Sequence, residues 1–407
     1  MTSPASHPLQ IAPGRRALDG ITILDLTHIG AGPLATSMLG DMGAEVIKVE
    51  PHQGDPTRGY DAVFPGADSS YFLGINRSKK SVALDLKTEG GMEVIHKLLE
   101  RCQVVIENYR PGTLRRLRLD YASVAQRRPD IVYCSISAFG TSGPYADRPG
   151  MDILVQGLGG IMGLTGEPGR APVKIGAPVA DFMGSYLAAY GISLALLAKE
   201  RFGIGQLVTV SLLDGQVGAL ANYVTGFHVT GKPDAPSGGA HPQIVPYQVF
   251  EASDGYLIVA CLTEGFWRNL CKALQREGLQ SDPRFETNKV RTVNREALVT
   301  LLAEILQTKT RAEWTEIMAR ADVPCGPVST LRDTFADPQV RHNGMVQEIE
   351  HPVAGKIFVG GVLVGLSETP GRISAPPPTL GQHTIEVLQG LGYAQADIER
   401  LRRSGAI

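Results

Sequence analysis

The chain lacks the features that mark membrane, secreted and metal-stapled proteins. Nowhere in its 407 residues is there a run approaching 18 unbroken apolar residues, roughly the length a spanning helix needs, so a membrane segment is not expected. The start, Met1-Thr-Ser-Pro-Ala-Ser-His-Pro8, has neither the basic region nor the apolar run of a signal peptide. The five cysteines (Cys102, Cys134, Cys261, Cys271, Cys325) are odd in number, form no CxxC pair and sit among apolar neighbours. Reduced, mostly buried thiols in a cytoplasmic protein are expected, with no zinc site. An excess of charge of one sign is also missing, with 39 basic against 41 acidic residues. The global field therefore favours neither nucleic acid nor a membrane surface, and a bound polyanion would need a local basic patch.

Nucleotide fingerprints are absent too. Gly157-Leu-Gly-Gly-Ile-Met162 carries methionine where a third glycine belongs, and Gly30-Ala-Gly32 runs into Pro33, whose missing N–H weakens a phosphate cradle. There is no P-loop, no Gly-x-Ser-x-Gly elbow and no His-Glu-x-x-His.

What is present suits a large folded protein. Hydrophobic residues make up 43% and charged residues 20%, enough for a sizeable core, and the length exceeds one typical domain. Ile21–Leu26 reads as a buried strand, Leu34–Leu39 as a helix and Gly43–Glu50 as a second strand. The pattern returns at Ser81–Leu86, Gly91–Leu99, Val104–Glu107 and Ile131–Ile136, so the fold class is α/β with a Rossmann-like parallel sheet. A long apolar helix from about Gly184 to Lys199 ends at Phe202-Gly-Ile-Gly205, and Gln206–Ser211 is another strand. A proline- and glycine-rich loop at 231–243 precedes a change of texture, with strands Tyr247–Phe250 and Tyr256–Cys261 followed by three helices. The division is a large domain beginning in 1–215, a smaller α+β domain at 216–330 and a return segment at 331–407 that completes the large one. Residues 1–17 read as a loose arm.

Among the acidic residues Asp181 is placed unusually, between Gly176-Ala-Pro-Val-Ala180 and Phe182-Met-Gly-Ser185 at a strand-like end that opens the long helix. A carboxylate there meets helix N-terminal N–H groups, which would lower its pKa and hold it ionised. Local sequence alone favours a plainer reading, a helix-capping aspartate.

The chain resembles the class III CoA-transferases, the family that includes formyl-CoA:oxalate transferase, carnitine CoA-transferase and α-methylacyl-CoA racemase. The likeness runs from about Leu18 to Leu401. It rests on Asp25-Leu-Thr-His-Ile-Gly-Ala-Gly-Pro33, Gly43-Ala-Glu-Val-Ile-Lys-Val-Glu50, Asn76-Arg-Ser-Lys-Lys80 and Leu84-Asp-Leu-Lys87. It continues through Glu107-Asn-Tyr-Arg-Pro-Gly112, Phe139-Gly-Thr-Ser-Gly-Pro144, Val179-Ala-Asp181, Val323-Pro-Cys-Gly-Pro327 and Leu380-Gly-Gln-His-Thr384. The resemblance implies that Asp181 is the nucleophile. It implies CoA contacts at Ile29, Gly30 and Ala31, at Leu84 and Lys87, at Asn108 and Tyr109, and at Arg116 and Leu117. Lys87 and Arg116, with Arg115 and Arg118, could neutralise CoA phosphates, while Tyr109 and Leu117 could sandwich adenine. Without the resemblance the arginine run reads as a solvated helix face. A family position often basic near the adenine is Pro51 here, which leaves the hold on that end open.

Two activities of the family part at one triplet. Racemases carry Gly-His-Asp, whose histidine exchanges the α-proton; here the triplet is Gly150-Met151-Asp152, and methionine has no titratable group for that step. Transfer through aspartyl anhydride and aspartyl-CoA intermediates is therefore expected, with 2-methylacyl-CoA racemisation as the alternative. A non-catalytic CoA-binding subunit of a heteromer is a third reading. No permanently bound cofactor is expected, CoA and acyl-CoA being substrates. Asp152 reads as a site or structural residue, and Gly238-Gly239 before His241 as a flexible cover or an interdomain linker. The segment Gly239–Gln248 looks most like the branch using succinyl-CoA and dicarboxylates, with His241, Arg77 or Arg148 able to hold a second carboxylate. The resemblance also implies two chains threaded like linked rings, a related partner subunit being the other possibility.

Overall fold

A computed structural model of the chain describes residues 14–64, 66 and 68–407, so the arm expected at residues 1–17 lies mostly outside the described residues. Six strands form one parallel sheet: β1 (Thr22–Asp25), β2 (Glu45–Glu50), β3 (Lys79–Ala83), β4 (Val104–Glu107), β5 (Val132–Ser137) and β6 (Gln206–Ser211). Their order is β3-β2-β1-β4-β5-β6, the doubly wound arrangement. In the shared register Ile23 lies between Val46 and Val104. Successive residues face opposite ways: Ile23, Val46 and Val104 enter one core, and Leu24, Ile47 and Val105 enter the other. Because both faces are buried, apolar residues follow one another in these strands, Ile23-Leu24, Val46-Ile47 and Val104–Ile106, rather than strictly alternating.

One face is covered by the helix Ala31–Asp41 and the long helix Val179–Phe202. The other carries the helix Glu89–Arg101 and the last two helices, Thr384–Gly390 and Gln395–Arg403. The motif Leu380–Thr384 lies along the free edge of β3. There the Ser81 N–H meets His383 Nδ1 at 3.2 Å, and the Ala83 N–H donates to Thr384 Oγ1 at 3.0 Å. This occupies hydrogen-bonding groups that would otherwise template pairing with another strand.

Two compact units emerge. The first comprises the chain up to Ile161, Lys174–Thr225 and Gln339–Ile407; the second comprises Met162–Val173 and Gly226–Pro338. The short piece Met162–Val173 was not singled out in the sequence. The second unit holds an antiparallel sheet of β7 (Tyr247–Ala252), β8 (Gly255–Ala260) and β9 (Cys325–Pro327), with a core that includes Phe250, Trp267, Leu298 and Trp314. A hairpin of β10 (Val346–His351) and β11 (Gly355–Gly360) belongs to the first unit.

Candidate active site

The strand order reverses between β1 and β4, and doubly wound sheets bind ligands at the carboxyl ends of strands beside such a reversal. A cavity of about 610 Å³ lies there. The turn after β1 supplies His28, Ile29 and Gly30, the end of β4 supplies Asn108 and Tyr109, and the long helix supplies Asp181.

Asp181 is delivered by the way the long helix is seated. One turn further along, Ser185 Oγ is 2.8 Å from the carbonyls of Ala31 and Asp181, tying this helix to the start of the first one. Asp181 then faces Gly30 so closely that a Cβ at position 30 would overlap its carboxylate. Glycine is what allows the approach. The preceding residue, Ile29, holds φ at +66°, a left-handed conformation costing a β-branched residue about 1–3 kcal/mol.

The capping expectation for Asp181 is corrected. Asp181 is the third residue of the helix and the cap position is Pro178, with no side-chain cap bond. Asp152 occupies the helix start instead: its Oδ1 accepts from the N–H groups of Ala180 at 2.8 Å and Asp181 at 3.3 Å. Gln156 Nε2 donates to Asp152 Oδ2 at 2.7 Å, and Gln156 Oε1 accepts the Ile175 N–H at 2.9 Å. The expected lowering of the Asp181 pKa is reversed. Burial, then the charge of Asp152, pushes it up to about 6, because those N–H groups face another carboxylate.

Tyr71, also in the cavity wall, is pushed up to about 12 by burial and then by the Asp181 charge, so its hydroxyl keeps its proton. Burial holds His28 below the usual histidine range, and its ring lies 5.0 Å from that of Tyr109. His28 and Tyr109 also line a second cavity of about 240 Å³, together with Pro51 and Asp55.

Of the CoA positions implied by resemblance, Ile29, Gly30, Ala31, Asn108 and Tyr109 come together in the main cavity wall. Leu84 does not line it; only 1% exposed, its side chain is part of the core. Leu117 is half-buried against that same core, whereas Lys87 and Arg116 are exposed in the segments following β3 and β4. Met151 and Asp152 both line the cavity. Among the proposed holders of a second carboxylate, Arg77 is corrected. It is buried, and its guanidinium donates twice to Asp41 Oδ2, at 3.0 and 2.8 Å. Arg148 lines the cavity, its guanidinium stacked 3.8 Å from the Tyr145 ring centre, and Lys174 lines it as well. Gly238, Gly239 and His241 belong to the second unit. There the Gly238 N–H donates to the Gly166 carbonyl at 3.0 Å and the His241 N–H to the Tyr247 carbonyl at 2.8 Å.

Tyr71, Lys174 and Asp55 were missed in the sequence, no chemical motif surrounding them. His28 could have been found, since it stands inside Asp25–Pro33.

The profile of CoA-transferase family III matches residues 18–384. The succinyl-CoA:glutarate CoA-transferase of Homo sapiens is 38% identical over 96% of this chain and 90% of its own length. The succinate–glutarate CoA-transferase of Agrobacterium fabrum is 38% identical over 95% of this chain and 97% of its own. Among solved structures, a CaiB/BaiF family protein from Brucella suis superposes with a TM-score of 0.84 at 38% identity, covering 93% of this chain and all of that one.

Proposed function

The chain belongs to CoA-transferase family III, and from that premise we propose that it moves CoA from succinyl-CoA to a dicarboxylate acceptor through covalent intermediates on Asp181. One observation carries the assignment of the nucleophile. The Asp181 carboxylate faces the cavity, half-buried, accepts no hydrogen bond from the described residues and lies so close to Gly30 that a Cβ there would overlap it. An oxyanion deprived of donors is a better nucleophile than a capped or ion-paired one.

In the first step an Asp181 oxygen attacks the thioester carbon of succinyl-CoA. The C–S bond breaks, leaving a mixed anhydride and CoA thiolate. The thiolate then attacks the Asp181 carbonyl carbon, expelling succinate and forming an aspartyl-CoA thioester. The acceptor carboxylate attacks that thioester and frees the thiolate again. Finally the thiolate takes the acceptor acyl group, restoring the Asp181 carboxylate. Each step exchanges one acyl bond for another, so the thioester energy is retained. Arg148 and Lys174 stand in the same cavity wall as Asp181; Arg148 stacks on Tyr145 and the Lys174 ammonium donates to the Ile175 and Gly176 carbonyls at 3.2 and 3.0 Å, so neither charge is neutralised by these contacts, which suits them to the far carboxylate of a diacid. Lys87 and Arg116, both exposed, suit CoA phosphates.

Racemisation is the weaker reading, since Met151 occupies the cavity position where a proton-exchanging histidine is required. A non-catalytic subunit would have no use for a buried, donor-poor carboxylate. The working assembly in this proposal is a cytoplasmic dimer of this chain. Along the long helix Tyr186, Tyr190, Leu194 and Leu197 are exposed at helical spacing, an apolar face suited to a second copy.

The test is chemical trapping. After incubation with succinyl-CoA, hydroxylamine should convert Asp181 to a hydroxamate detectable in its peptide by mass spectrometry. Absence of any adduct under turnover conditions would sink the mechanism, and a panel of acceptor acids would then define the range.

A further inference from the structure

The turn that brings Gly30 to Asp181 is held by three side chains from outside it, which between them bind the carbonyl and the N–H of two successive peptide units. Lys48 Nζ donates to the Thr27 carbonyl at 2.7 Å. Asn108 accepts the His28 N–H at 3.0 Å and donates to the His28 carbonyl at 2.7 Å. Asp55 takes the Ile29 N–H, with both carboxylate oxygens 3.3 Å from the nitrogen.

Asp55 is itself fixed in place. Its side chain is 1% exposed and pairs with the fully buried Lys48 ammonium at 3.0 Å. It also accepts the Thr57 N–H at 2.9 Å and the Thr57 hydroxyl at 2.7 Å. Its own N–H donates to Glu50 at 3.0 Å. Asp55 does not line the cavity that holds Asp181 and faces only the smaller cavity behind His28 and Tyr109. A buried ion pair of this kind contributes little net stability compared with apolar residues of the same size. What it does accomplish is geometric. Ile29 is the one residue of the turn in the left-handed region, and without a partner for its N–H that conformation has little to keep it. Relaxation to negative φ would swing the next peptide and withdraw Gly30 from Asp181.

We propose that Asp55, oriented by Lys48, is a positioning residue: by fixing the Ile29 N–H it locks the left-handed turn and holds Gly30 against the nucleophile. The inference rests on the acyl-transfer role of Asp181.

The test is a double-mutant cycle on the full chain, with succinyl-CoA and glutarate as substrates. In Asp55→Asn, kcat should fall by roughly tenfold or more. The acid limb of its pH profile should move downward as water reaches a less enclosed Asp181. In the I29G background glycine adopts the turn without strain, so the same substitution should cost about threefold or less. Melting temperatures identify any variant that fails to fold. For that case K48M/D55L removes both charges together, leaves no lone buried ion and should reproduce the loss in kcat. The proposal is overturned if folded Asp55→Asn keeps kcat within about twofold with an unmoved acid limb, or loses the same factor in the I29G background. Hydroxamate trapping at Asp181 in the unmodified protein separates the two readings. No adduct overturns both, whereas an adduct with Asp55→Asn indifferent overturns only the positioning role.

Discussion

At the scale of single residues, Gly30 and Asp181 constrain each other. Gly30→Ala places a methyl group where the carboxylate stands, so kcat should fall on the order of 100-fold while circular dichroism stays unchanged. Asp181 also carries a stability signature. Its folded pKa, about 6, lies above the unfolded value near 3.8, so its ionisation opposes folding. The cost is absent below pH 3.8, grows as pH rises and is complete above about 6, reaching at most about 3 kcal/mol. Asp181→Asn should therefore abolish transfer yet raise the melting temperature at pH 7, with the gain fading by pH 4. If Asp181 is the nucleophile as proposed, kcat should rise through pH 6 as its carboxyl ionises. The sequence named Asp181, and the family motifs around it were what raised it above a helix cap. It gave the wrong sign for the pKa because Asp152, 29 residues away in the chain, takes the helix N–H groups, and no local pattern records that.

At the scale of elements, the parallel strands were readable where apolar residues stand together shortly before a turn or helix start. Val104–Glu107 and Gln206–Ser211 match residue for residue, whereas the strand expected at Ser81–Leu86 begins two residues earlier, at Lys79, and ends three earlier, at Ala83. That displacement has a physical cause. Lys79 and Lys80 look like surface residues in sequence, but Lys79 is buried, with its ammonium 3.3 Å from Asp25 and 2.8 Å from the Pro33 carbonyl. The same blindness to buried charge made Arg77 look available for substrate. Its pair with Asp41 ties the chain just before β3 to the end of the first helix, so Arg77→Ala should strand a buried carboxylate. A loss of about 3–5 kcal/mol is expected in urea unfolding. Transfer kinetics of the folded fraction should change little.

At the scale of the whole molecule, the long helix is apolar on more sides than its own unit covers. By length and composition it could even cross a membrane, with a mean hydropathy of 1.3. Tyr190 is 64% exposed and Leu197 51%. If a second copy covers this face, Y190E/L194E should halve the mass measured by light scattering. The sequence showed the helix but not this face, because a helix apolar all round reads the same whether its cover comes from its own chain or another.

The sealed edge of β3 has a bearing on how the protein is made. Ser81 waits for His383, a residue translated about 300 positions later, and the core around Val82 and Leu84 is finished by Leu388, Ile398 and Leu401. At 5–20 residues per second the ribosome leaves that surface bare for on the order of 15–60 s. The nascent chain must therefore be kept from its neighbours until its last helices emerge. A message truncated before position 380 should yield insoluble protein even though every residue of the proposed active site has already been made.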